Sequence, residues 1–353
     1  MKKRIFACFT AMAMALTLLT GCGGGGDNGG GGAASSGGAA SGSGASGGGS
    51  GDELTMTMII ASRDEFMSTL EQGCKDAAAE AGVKMTTQDA QFDTGKLLQF
   101  IETARNNGED AVIINIVDPE TAQQCIDAAG DMKVVFVNRS LDESVYSKFD
   151  ENVCGVWSDE DTSGYYQGEY LAKLFKEQNK TDVKYIMVCG TLGQVYTTKR
   201  TEGAIKALKD NGINPIPATA DLVADYDRAT AQDMISPLID TVDYDCVICN
   251  NDAMALGVIE AMKSKNIDPK TKPVTGIDAT VDGVEAVSNG TMAMSVFQNP
   301  TGQGRGAVMA AVNMCKGKAI NADTEYEVDE TGRLVWIPFE PVYPDNVADY
   351  QNR

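Results

Sequence analysis

Short apolar runs alternate with amphipathic stretches along the chain, and this alternation constrains the fold more than any other feature. The apolar runs carry hydrophobic residues on both faces, as do strands of a parallel sheet that helices cover on both sides. They are residues 54–61, 111–117, 133–138, 184–190, 245–250 and 273–278. Residues 66–81 and 94–107 have the apolar spacing of helices. The pattern predicts βαβ units and an α/β fold, and the number of units predicts two Rossmann-like lobes with parallel-type sheets.

Composition excludes several classes of function. The chain of 353 residues is 43% hydrophobic, has a formal net charge of -21 and contains no histidine. So acidic a chain lacks the basic surface that binds nucleic acid. Without imidazole it also lacks Ser–His and Cys–His nucleophile pairs and histidine-ligated metals, so catalysis would depend on carboxylates, lysines or thiols. We therefore expect no nucleic-acid partner and no cofactor.

The N-terminus has the features of a secretion signal. Lys2, Lys3 and Arg4 precede the run IFACFTAMAMALTLL, which is short for a membrane span and ends in LTGC. Because LTGC resembles a lipobox, residues 1–21 are predicted to be a lipoprotein signal peptide, with Cys22 lipidated; a short transmembrane anchor is the alternative.

Residues 22–53 are rich in Gly and Ser and predict a flexible tether. The rest of the chain is expected outside the cytoplasm, lipid-anchored to the outer face of a cell membrane of Gram-positive type.

The cysteines downstream of Cys22 do not have the pattern of a disulfide framework, because they are odd in number and most lie in apolar strand or helix patterns. Cys246 and Cys249 form a C-x-x-C pair within a predicted strand, where residues three apart point to opposite faces. We predict small buried thiols rather than a zinc or redox site. The remaining cysteines of this group are Cys74, Cys125, Cys154, Cys189 and Cys315.

Polar side chains follow five of the predicted strands, where ligands collect in open parallel sheets. They are Ser62, Arg63 and Asp64; Asn138 and Arg139; Asn250, Asn251 and Asp252; Asp278; and Gln298, at the end of a further predicted strand over 291–297. One such residue is more often a helix N-cap, and Asp252 and Asp278 could each be caps, but five strand ends together indicate a binding site. Carboxylates, amides and guanidinium groups match adjacent sugar hydroxyls, and Phe66 and Tyr226 could stack on the apolar faces of a sugar. No G-x-G-x-x-G or Walker lysine follows the first strand, which argues against a nucleotide ligand.

Seven stretches, in order, carry a family resemblance: RDEFMS (63–68), INIVDPETA (114–122), VVFVNR (134–139), SGYYQGEYLAK (163–173), NNDAMALG (250–257), GIDAT (276–280) and IPFEPVYPDNVADY (337–350). Over residues 54–350 the chain resembles the periplasmic sugar-binding proteins of ABC importers, and within them the galactose/glucose-binding branch, with ribose-binding-like features. The resemblance implies a type I periplasmic binding protein, with two lobes joined by a three-crossing hinge. The expected N-terminal lobe is 54–157 plus 299–335, and the expected C-terminal lobe is 158–298 plus 336–353.

The resemblance also implies site residues. Asp64 and Phe66 match the contacts after the first strand, and Asn138 with Arg139 matches the second contact of the N-terminal lobe. In the C-terminal lobe the implied contacts are Arg200, the stacking ring of Tyr226, the Asn251–Asp278 pair and Gln298 at the hinge. Gln194 and Tyr196 stand where the galactose/glucose branch has His and Asp. Asn250 and Asp252 are interpreted as structural neighbours.

The function implied is capture of a monosaccharide, most simply a glucose- or galactose-type hexose, and its delivery to an ABC permease. A monomer without a bound metal is expected, because KEQNKTDVKY lacks the alternating oxygen ligands of a calcium loop. The alternative is a receptor for ribose, xylose or autoinducer-2 that feeds a sensor kinase or chemoreceptor. Two rival classes are weaker: a glycosidase using Asp64 and Asp278, and a repressor core, whose DNA-binding headpiece would stand where the signal and tether are.

Overall fold

The computed structural model describes residues 53–351, which form fourteen strands and ten α-helices. The strands are β1 (Thr55–Ile60), β2 (Lys84–Asp89), β3 (Ala111–Ile114), β4 (Lys133–Val137), β5 (Val153–Trp157), β6 (Asp182–Cys189), β7 (Asn214–Pro217), β8 (Leu222–Val223), β9 (Cys246–Cys249), β10 (Val274–Thr275), β11 (Ser295–Gln298), β12 (Glu327–Val328), β13 (Leu334–Trp336) and β14 (Phe339–Val342). The helices are α1 (Glu65–Ala81), α2 (Thr94–Asn106), α3 (Ala122–Ala129), α4 (Glu143–Tyr146), α5 (Glu160–Glu177), α6 (Val195–Asp210), α7 (Arg228–Ile235), α8 (Asp252–Ser264), α9 (Val281–Ser288) and α10 (Pro300–Cys315).

The predicted signal peptide, the lipidation residue Cys22 and nearly all of the tether lie outside the described residues. Within the described part of the chain, no helix has the length and apolar character needed to cross a bilayer.

The first sheet has seven strands in the order β12-β13-β5-β4-β3-β1-β2, and every neighbouring pair is parallel except β12–β13. Side chains alternate between two cores because neighbouring residues of a strand point to opposite faces. In β1, Met58 packs with α1 and α10 on one face, whereas Ile59 packs with α2 and α3 on the other. Both faces of the sheet are therefore covered by helices, as the apolar runs predict.

The second sheet has the order β10-β9-β6-β7, with β8 also paired to β6, and all of its pairs are parallel. Helices α5 and α6 cover one face, and α7, α8 and α9 cover the other. Cys246 belongs to the first of these cores and Cys249 to the second, so the C-x-x-C pair points to opposite faces as predicted. All seven cysteines of the described residues are free, and all but the half-buried Cys315 are buried.

Three connections in the described chain run between the part that holds the first sheet and the part that holds the second sheet and the β11–β14 ribbon. The first leads from β5 at Trp157 into α5, the second from β11 at Gln298 into α10, and the third from β13 to β14 through Ile337 and Pro338. Strands β11 and β14 pair with each other as an antiparallel ribbon. These connections lie next to the lobe boundaries expected from the sequence; that the two parts move as separate lobes stays a prediction.

The α/β prediction is confirmed element by element where the sequence pattern is strong. The six apolar runs overlap β1, β3, β4, β6, β9 and β10, and the two helical stretches correspond to α1 and α2. Strand β2, with the sequence KMTTQD, was not predicted because it is polar and lies at the sheet edge, where only one neighbour is needed. The last predicted run is strand only at Val274–Thr275, since Gly276–Asp278 bend away to meet the strand region before Gln298.

Helices α5 and α6 approach each other closely at glycines. A Cβ on Gly168 would lie 2.1 Å from the carbonyl oxygen of Ala204 and 2.8 Å from the Cβ of Ala207. A Cβ on Gly164 would lie 2.0 Å from the carbonyl oxygen of Arg200. The position of α6, and with it that of Arg200, therefore depends on the absence of side chains on this face of α5.

We expect Gly168→Ala to lower the free energy of unfolding by about 1–3 kcal/mol, because the added methyl group must push the α6 backbone away. Urea denaturation of the two proteins measures the difference. Glu169→Ala is the matched control on the exposed side of the same helix turn and should change stability by no more than about 0.5 kcal/mol. Equal stability of the two variants would contradict the close-packing argument.

Candidate functional site

A cleft of about 260 Å³ lies at the carboxyl ends of strands from both sheets. Parallel strands end at a common edge, so residues that directly follow them converge there. The predicted site residues that line the cleft are Asp64, Phe66, Asn138, Arg139, Tyr196, Arg200, Tyr226, Asn251, Asp278 and Gln298. One cleft thus collects residues spread over more than two hundred positions of the sequence.

Gln194 is the predicted site residue that does not line the cleft. It occupies the N-cap position of α6 without making a capping hydrogen bond, and its Oε1 is buried without a partner. Along α6 the wall of the cleft begins at Tyr196, so the expected contact from Gln194 is absent from the lining.

Asp64 serves two purposes at the end of β1. As the N-cap of α1 it accepts a hydrogen bond from the backbone N–H of Met67 at 2.7 Å through Oδ1, which satisfies one of the free donors of the helix. The carboxylate stays accessible from the cleft, but neighbouring protein atoms desolvate it, which raises its pKa, while the Met67 hydrogen bond and Arg139 act in the opposite direction. A capping residue therefore also presents a carboxylate to the cleft.

Asn138 and Arg139 form the other polar wall of the first sheet. Asn138 has a left-handed backbone (φ 69°), and its side chain accepts from Asn115 at 3.2 Å and donates to Gln303 at 3.0 Å. Arg139 donates through one nitrogen to the carbonyl oxygens of Ile116 and Val117, at 2.9 and 3.2 Å. Both side chains are held in place by the protein, so a ligand would meet them already oriented.

The Arg200 guanidinium is the centre of the site on the side of the second sheet. It forms a two-pronged ion pair with Glu160, with Nε 2.8 Å from Oε2 and Nη2 3.1 Å from Oε1. The side chains of Arg200 and Glu160 are only 5% and 1% exposed. Nη1 donates to the carbonyl oxygen of Asn250 at 3.0 Å and lies 3.9 Å from Oδ1 of Asp278. Burial acts to lower the pKa of Arg200, but Glu160 and the other negative groups outweigh it and raise that pKa.

Arg200 also touches all three connections between the sheets. Glu160 begins α5, directly after the first connection, and Gln298 ends β11 at the second; its Oε1 accepts from Arg200 Nη2 at 3.3 Å. Phe339 follows the third connection, and the Arg200 guanidinium lies 6.0 Å from its ring centroid. One buried cation thus links the three segments about which the two sheets could move.

Two tyrosines form an aromatic wall next to Arg200. The rings of Tyr196 and Tyr226 lie 5.7 Å apart at 33°, and the Tyr226 hydroxyl is 2.6 Å from Oγ1 of Thr197. Tyr226 fits because Gly190 has no side chain: a Cβ there would lie 1.9 Å from Cζ of the tyrosine ring. Tyr226 itself has a left-handed backbone (φ 64°), so its ring is fixed by both backbone and packing.

Asn251 and Asp278 place an amide and a carboxylate beside each other on the cleft. Asn251 is the N-cap of α8 and accepts from the backbone N–H of Met254 at 3.0 Å, which leaves its amide NH₂ available. Asp278 is 8% exposed and has a left-handed φ of 119°. Burial raises its pKa well above the usual range, although Arg200 partly offsets this effect. The nearest cationic nitrogen, Nη1 of Arg200, is 3.9 Å from Oδ1 of Asp278, so a hydroxyl-bearing ligand could add a closer contact.

The two neighbours of Asn251 are structural, as interpreted from the sequence. Asn250 accepts from the backbone N–H of Gly190 at 3.1 Å and has no exposed surface. Asp252, also fully buried, accepts from the Ser295 hydroxyl at 2.6 Å and from the backbone N–H of Thr280 at 2.9 Å. The helix caps are Asn251 and Thr280, so the alternative in which Asp252 and Asp278 act as caps is wrong.

Sequence reasoning missed six lining residues, and Glu160 and Phe92 show why; the others are Met67, Thr191, Asp225 and Asp227. Glu160 stands in the first turn of α5, where an acidic residue is ordinary because it complements the helix dipole. Phe92 stands in a polar loop between β2 and α2, and β2 was itself not predicted. In neither case does a local pattern distinguish the residue, because its partners are distant in sequence.

The arrangement is suited to binding a polyhydroxylated molecule. Acceptors on Asp64 and Asp278 and donors on Asn251 and Arg139 face a common space, with aromatic rings at its sides. Gln298 adds an Nε2 that is buried and has no hydrogen-bond partner. An unpaired buried donor is costly, so a ligand acceptor at this point would be favourable.

Comparison with known proteins agrees with this architecture. The family model for a periplasmic binding protein domain matches residues 56–319. A Rhizobium meliloti protein named "Putative rhizopine-binding protein" is 30% identical over 295 residues, which are 82% of this chain and 90% of that protein. The D-galactose/methyl-galactoside binding periplasmic protein of Haemophilus influenzae is 29% identical over 302 residues, 81% of this chain and 88% of its own.

A solved structure gives the same result. An ABC transporter solute binding protein from Bacillus halodurans C-125, with bound myo-inositol, has a TM-score of 0.73 and 27% sequence identity. The match covers 86% of this chain and 99% of that one.

Asp252, buried beneath the site, predicts a pH dependence of stability. Desolvation raises the pKa of its carboxyl from the ordinary 3.8 to about 7, against the hydrogen bonds from Ser295 and Thr280. The folded protein thus keeps a proton that the unfolded chain releases between about pH 4 and pH 7, and the contribution of this group to stability falls as pH rises through that window. Because Asp252→Asn does not titrate, the wild type should lose up to about 1.4 kcal/mol per pH unit relative to the variant.

Urea denaturation of both proteins at several pH values between 4.5 and 7.5 measures this difference. Asp131→Asn, an exposed aspartate in the turn before β4, is the control and should run parallel to the wild type. A constant difference between wild type and Asp252→Asn over the whole range would contradict the raised pKa.

Proposed function

The chain belongs to the periplasmic binding protein family, and from this premise we propose that it captures a monosaccharide between two lobes and delivers it to an ABC permease. Members of this family are binding components of transport systems and not enzymes, which confirms the prediction of a non-catalytic protein with a type I fold. The glycosidase alternative, with Asp64 and Asp278 as acid and base, is thereby set aside.

The single observation that supports sugar binding is the cleft itself. Carboxylates, an amide and guanidinium groups from both sheets face one space, and Phe66 and Tyr226 line it with apolar rings. A sugar presents the complementary pattern, with neighbouring hydroxyls around its edge and C–H groups on its faces. Hydrogen bonds to charged groups contribute about 1.5–3 kcal/mol each before the cost of association. Several of them, with aromatic contacts, correspond to a dissociation constant of about 1 μM.

The proposed ligand is a glucose- or galactose-type hexose. A relative named for D-galactose and methyl-galactoside supports this choice. The myo-inositol in the Bacillus halodurans structure and the relative named for rhizopine indicate that a cyclic polyol other than a hexose belongs in the test. The alternative proposal keeps the cleft but assigns it ribose, xylose or autoinducer-2, with a sensor kinase or chemoreceptor as the partner.

Closure of the cleft is the proposed signal to the permease. Three connections restrict two lobes to bending and twisting about one region, and Arg200 contacts each of them. The lobes are proposed as 54–157 plus 299–335 and 158–298 plus 336–353. A ligand held by Asp64 and Asn138 on one side and by Asn251 and Asp278 on the other would favour the closed form.

Isothermal titration of residues 52–353 tests the ligand proposal. The protein is unfolded and refolded to remove any carried ligand, then titrated with D-glucose, D-galactose, D-ribose, D-xylose and myo-inositol. We expect saturable binding of a hexose, and for Asp278→Asn an affinity about tenfold to hundredfold weaker, because one charge-assisted hydrogen bond is lost. Stability should not fall in this variant, since the asparagine removes a desolvated carboxyl group.

Asp131→Asn is the control for this titration, being an exposed aspartate outside the cleft. Arg200→Ala is less informative, because it leaves Glu160 buried without its partner and disturbs folding as well as binding. Binding of a polyol other than a hexose would reassign the ligand within the same function. No heat with any member of the panel would contradict the proposal.

Lipid anchoring through Cys22 is proposed with this function, since a tethered receptor stays near its permease. We expect a fatty-acid label to enter the full-length protein in a Gram-positive host and the protein to sediment with membranes. Cys22→Ser should lose the label, whereas Cys315→Ser, which changes the partly exposed thiol of the body, should retain it. Equal labelling of the wild type and Cys22→Ser would refute the assignment.

A further inference from the structure

Phe92 is an exposed aromatic residue that lines the cleft. It is 65% exposed, and it reaches the cleft from the loop between β2 and α2 on the side of the first sheet. A phenylalanine in that position leaves apolar surface in water beside a polar cleft, and nothing in the core packing of this loop requires the ring.

The backbone of the loop presents the ring in one defined direction. Gln91 and Phe92 both have left-handed backbones (φ 54° and 57°), which bulky residues rarely adopt. The N–H of Phe92 donates to the carbonyl oxygen of Ala61 at 2.7 Å, which ties the loop to the end of β1. The N–H of Gln91 donates to Asp89 at 2.8 Å, and Asp93 caps α2. Such a conformation persists only because several bonds enforce it, and strain of this kind clusters at functional positions.

Arg139 supports the ring from one side. Its guanidinium carbon lies 5.6 Å from the Phe92 ring centroid, and one of its nitrogens is bound to two carbonyl oxygens. The cation and the ring therefore form an ordered stack at the mouth of the cleft. The rest of the ring surface stays free for a ligand.

We propose that Phe92 is a specificity-determining ligand contact, whose ring covers the outward side of the bound cyclic polyol when the cleft closes. Phe66 and Tyr226 line the inside of the cleft, and Phe92 adds a third aromatic surface at its mouth. A ligand that uses this surface has hydroxyls that are hydrogen-bonded inside the cleft and C–H groups on its opposite, outward side. This inference rests on the proposed function and adds to it a residue that selects among polyols.

Titration calorimetry of Phe92 variants with D-glucose, D-galactose, D-ribose, D-xylose and myo-inositol tests the assignment. For the sugar that the wild type binds, we expect Phe92→Ala to weaken affinity about tenfold and to make the heat capacity change of binding less negative, because less apolar surface is buried. Phe92→Tyr should bind within about threefold of the wild type, since the ring is kept. Phe92→Gly, which favours the same left-handed backbone without a ring, should behave like Phe92→Ala.

Val281→Ala is the matched control. Val281 is 71% exposed and does not line the cleft, so this substitution should leave the affinity for the sugar unchanged. Wild-type affinity in both Phe92→Ala and Phe92→Gly would overturn the assignment of Phe92 alone and leave the binding function standing. An equal loss in Phe92→Tyr and Phe92→Ala would also overturn it. Absence of binding by the wild type itself would overturn the proposed function and this inference together.

Discussion

The buried pair of Glu160 and Arg200 is the interaction on which the site depends. Two charges with almost no exposure are stable only because each supplies the partner of the other and the remaining N–H groups reach Asn250, Gln298 and the vicinity of Asp278. Removal of one partner from such a pair typically costs about 3–5 kcal/mol, because the other charge stays buried. The pair joins the start of α5 to the second turn of α6 and lies against all three connections between the sheets. The positions of the side chains that line the cleft are therefore coupled to the positions of the three connections.

The close approach of α5 and α6 makes this pair possible. Glycines on α5 let the backbone of α6 come near enough for Arg200 to meet Glu160 two-pronged. Most N–H groups of Arg200 donate to protein acceptors, and the Asp278 carboxylate lies 3.9 Å from the guanidinium. The positive charge of Arg200 therefore compensates Asp278 only in part. Burial raises the pKa of Asp278, and its separation from Arg200 leaves space beside the carboxyl group for a ligand hydroxyl. The N–H donors of Arg200 thus contribute both to the stability of the fold and to the polar surface of the cleft.

Many residues of the cleft both stabilise the fold and line the site. This double role explains which site residues could be predicted from the sequence. Asp64 and Asn251 cap helices and also face the cleft. Their position at strand ends predicted both as site residues, but residue type alone pointed to Asp252 and Asp278 as the possible caps. Glu160 and Phe92 escaped prediction because their significance comes from Arg200 and Arg139, which lie far away in sequence. Gln194 was assigned by position relative to Arg200, yet the turn into α6 leaves it outside the lining. The sequence distance between Gln194 and Arg200 does not specify whether a side chain at the beginning of a helix points into the cleft or away from it.

The sequence by itself determined the α/β class, the buried strands and the residues at their carboxyl ends, because hydrophobic period and turn chemistry are local properties. It also indicated that cysteines 246 and 249 would face opposite cores, since that follows from strand geometry alone. Only the tertiary structure decided which strand ends face one another across the cleft, which donors of Arg200 remain for a ligand, and that a strained loop aims Phe92 at the mouth. These features depend on distances between segments that are remote in sequence, and packing of helices against both faces of two sheets is what sets those distances.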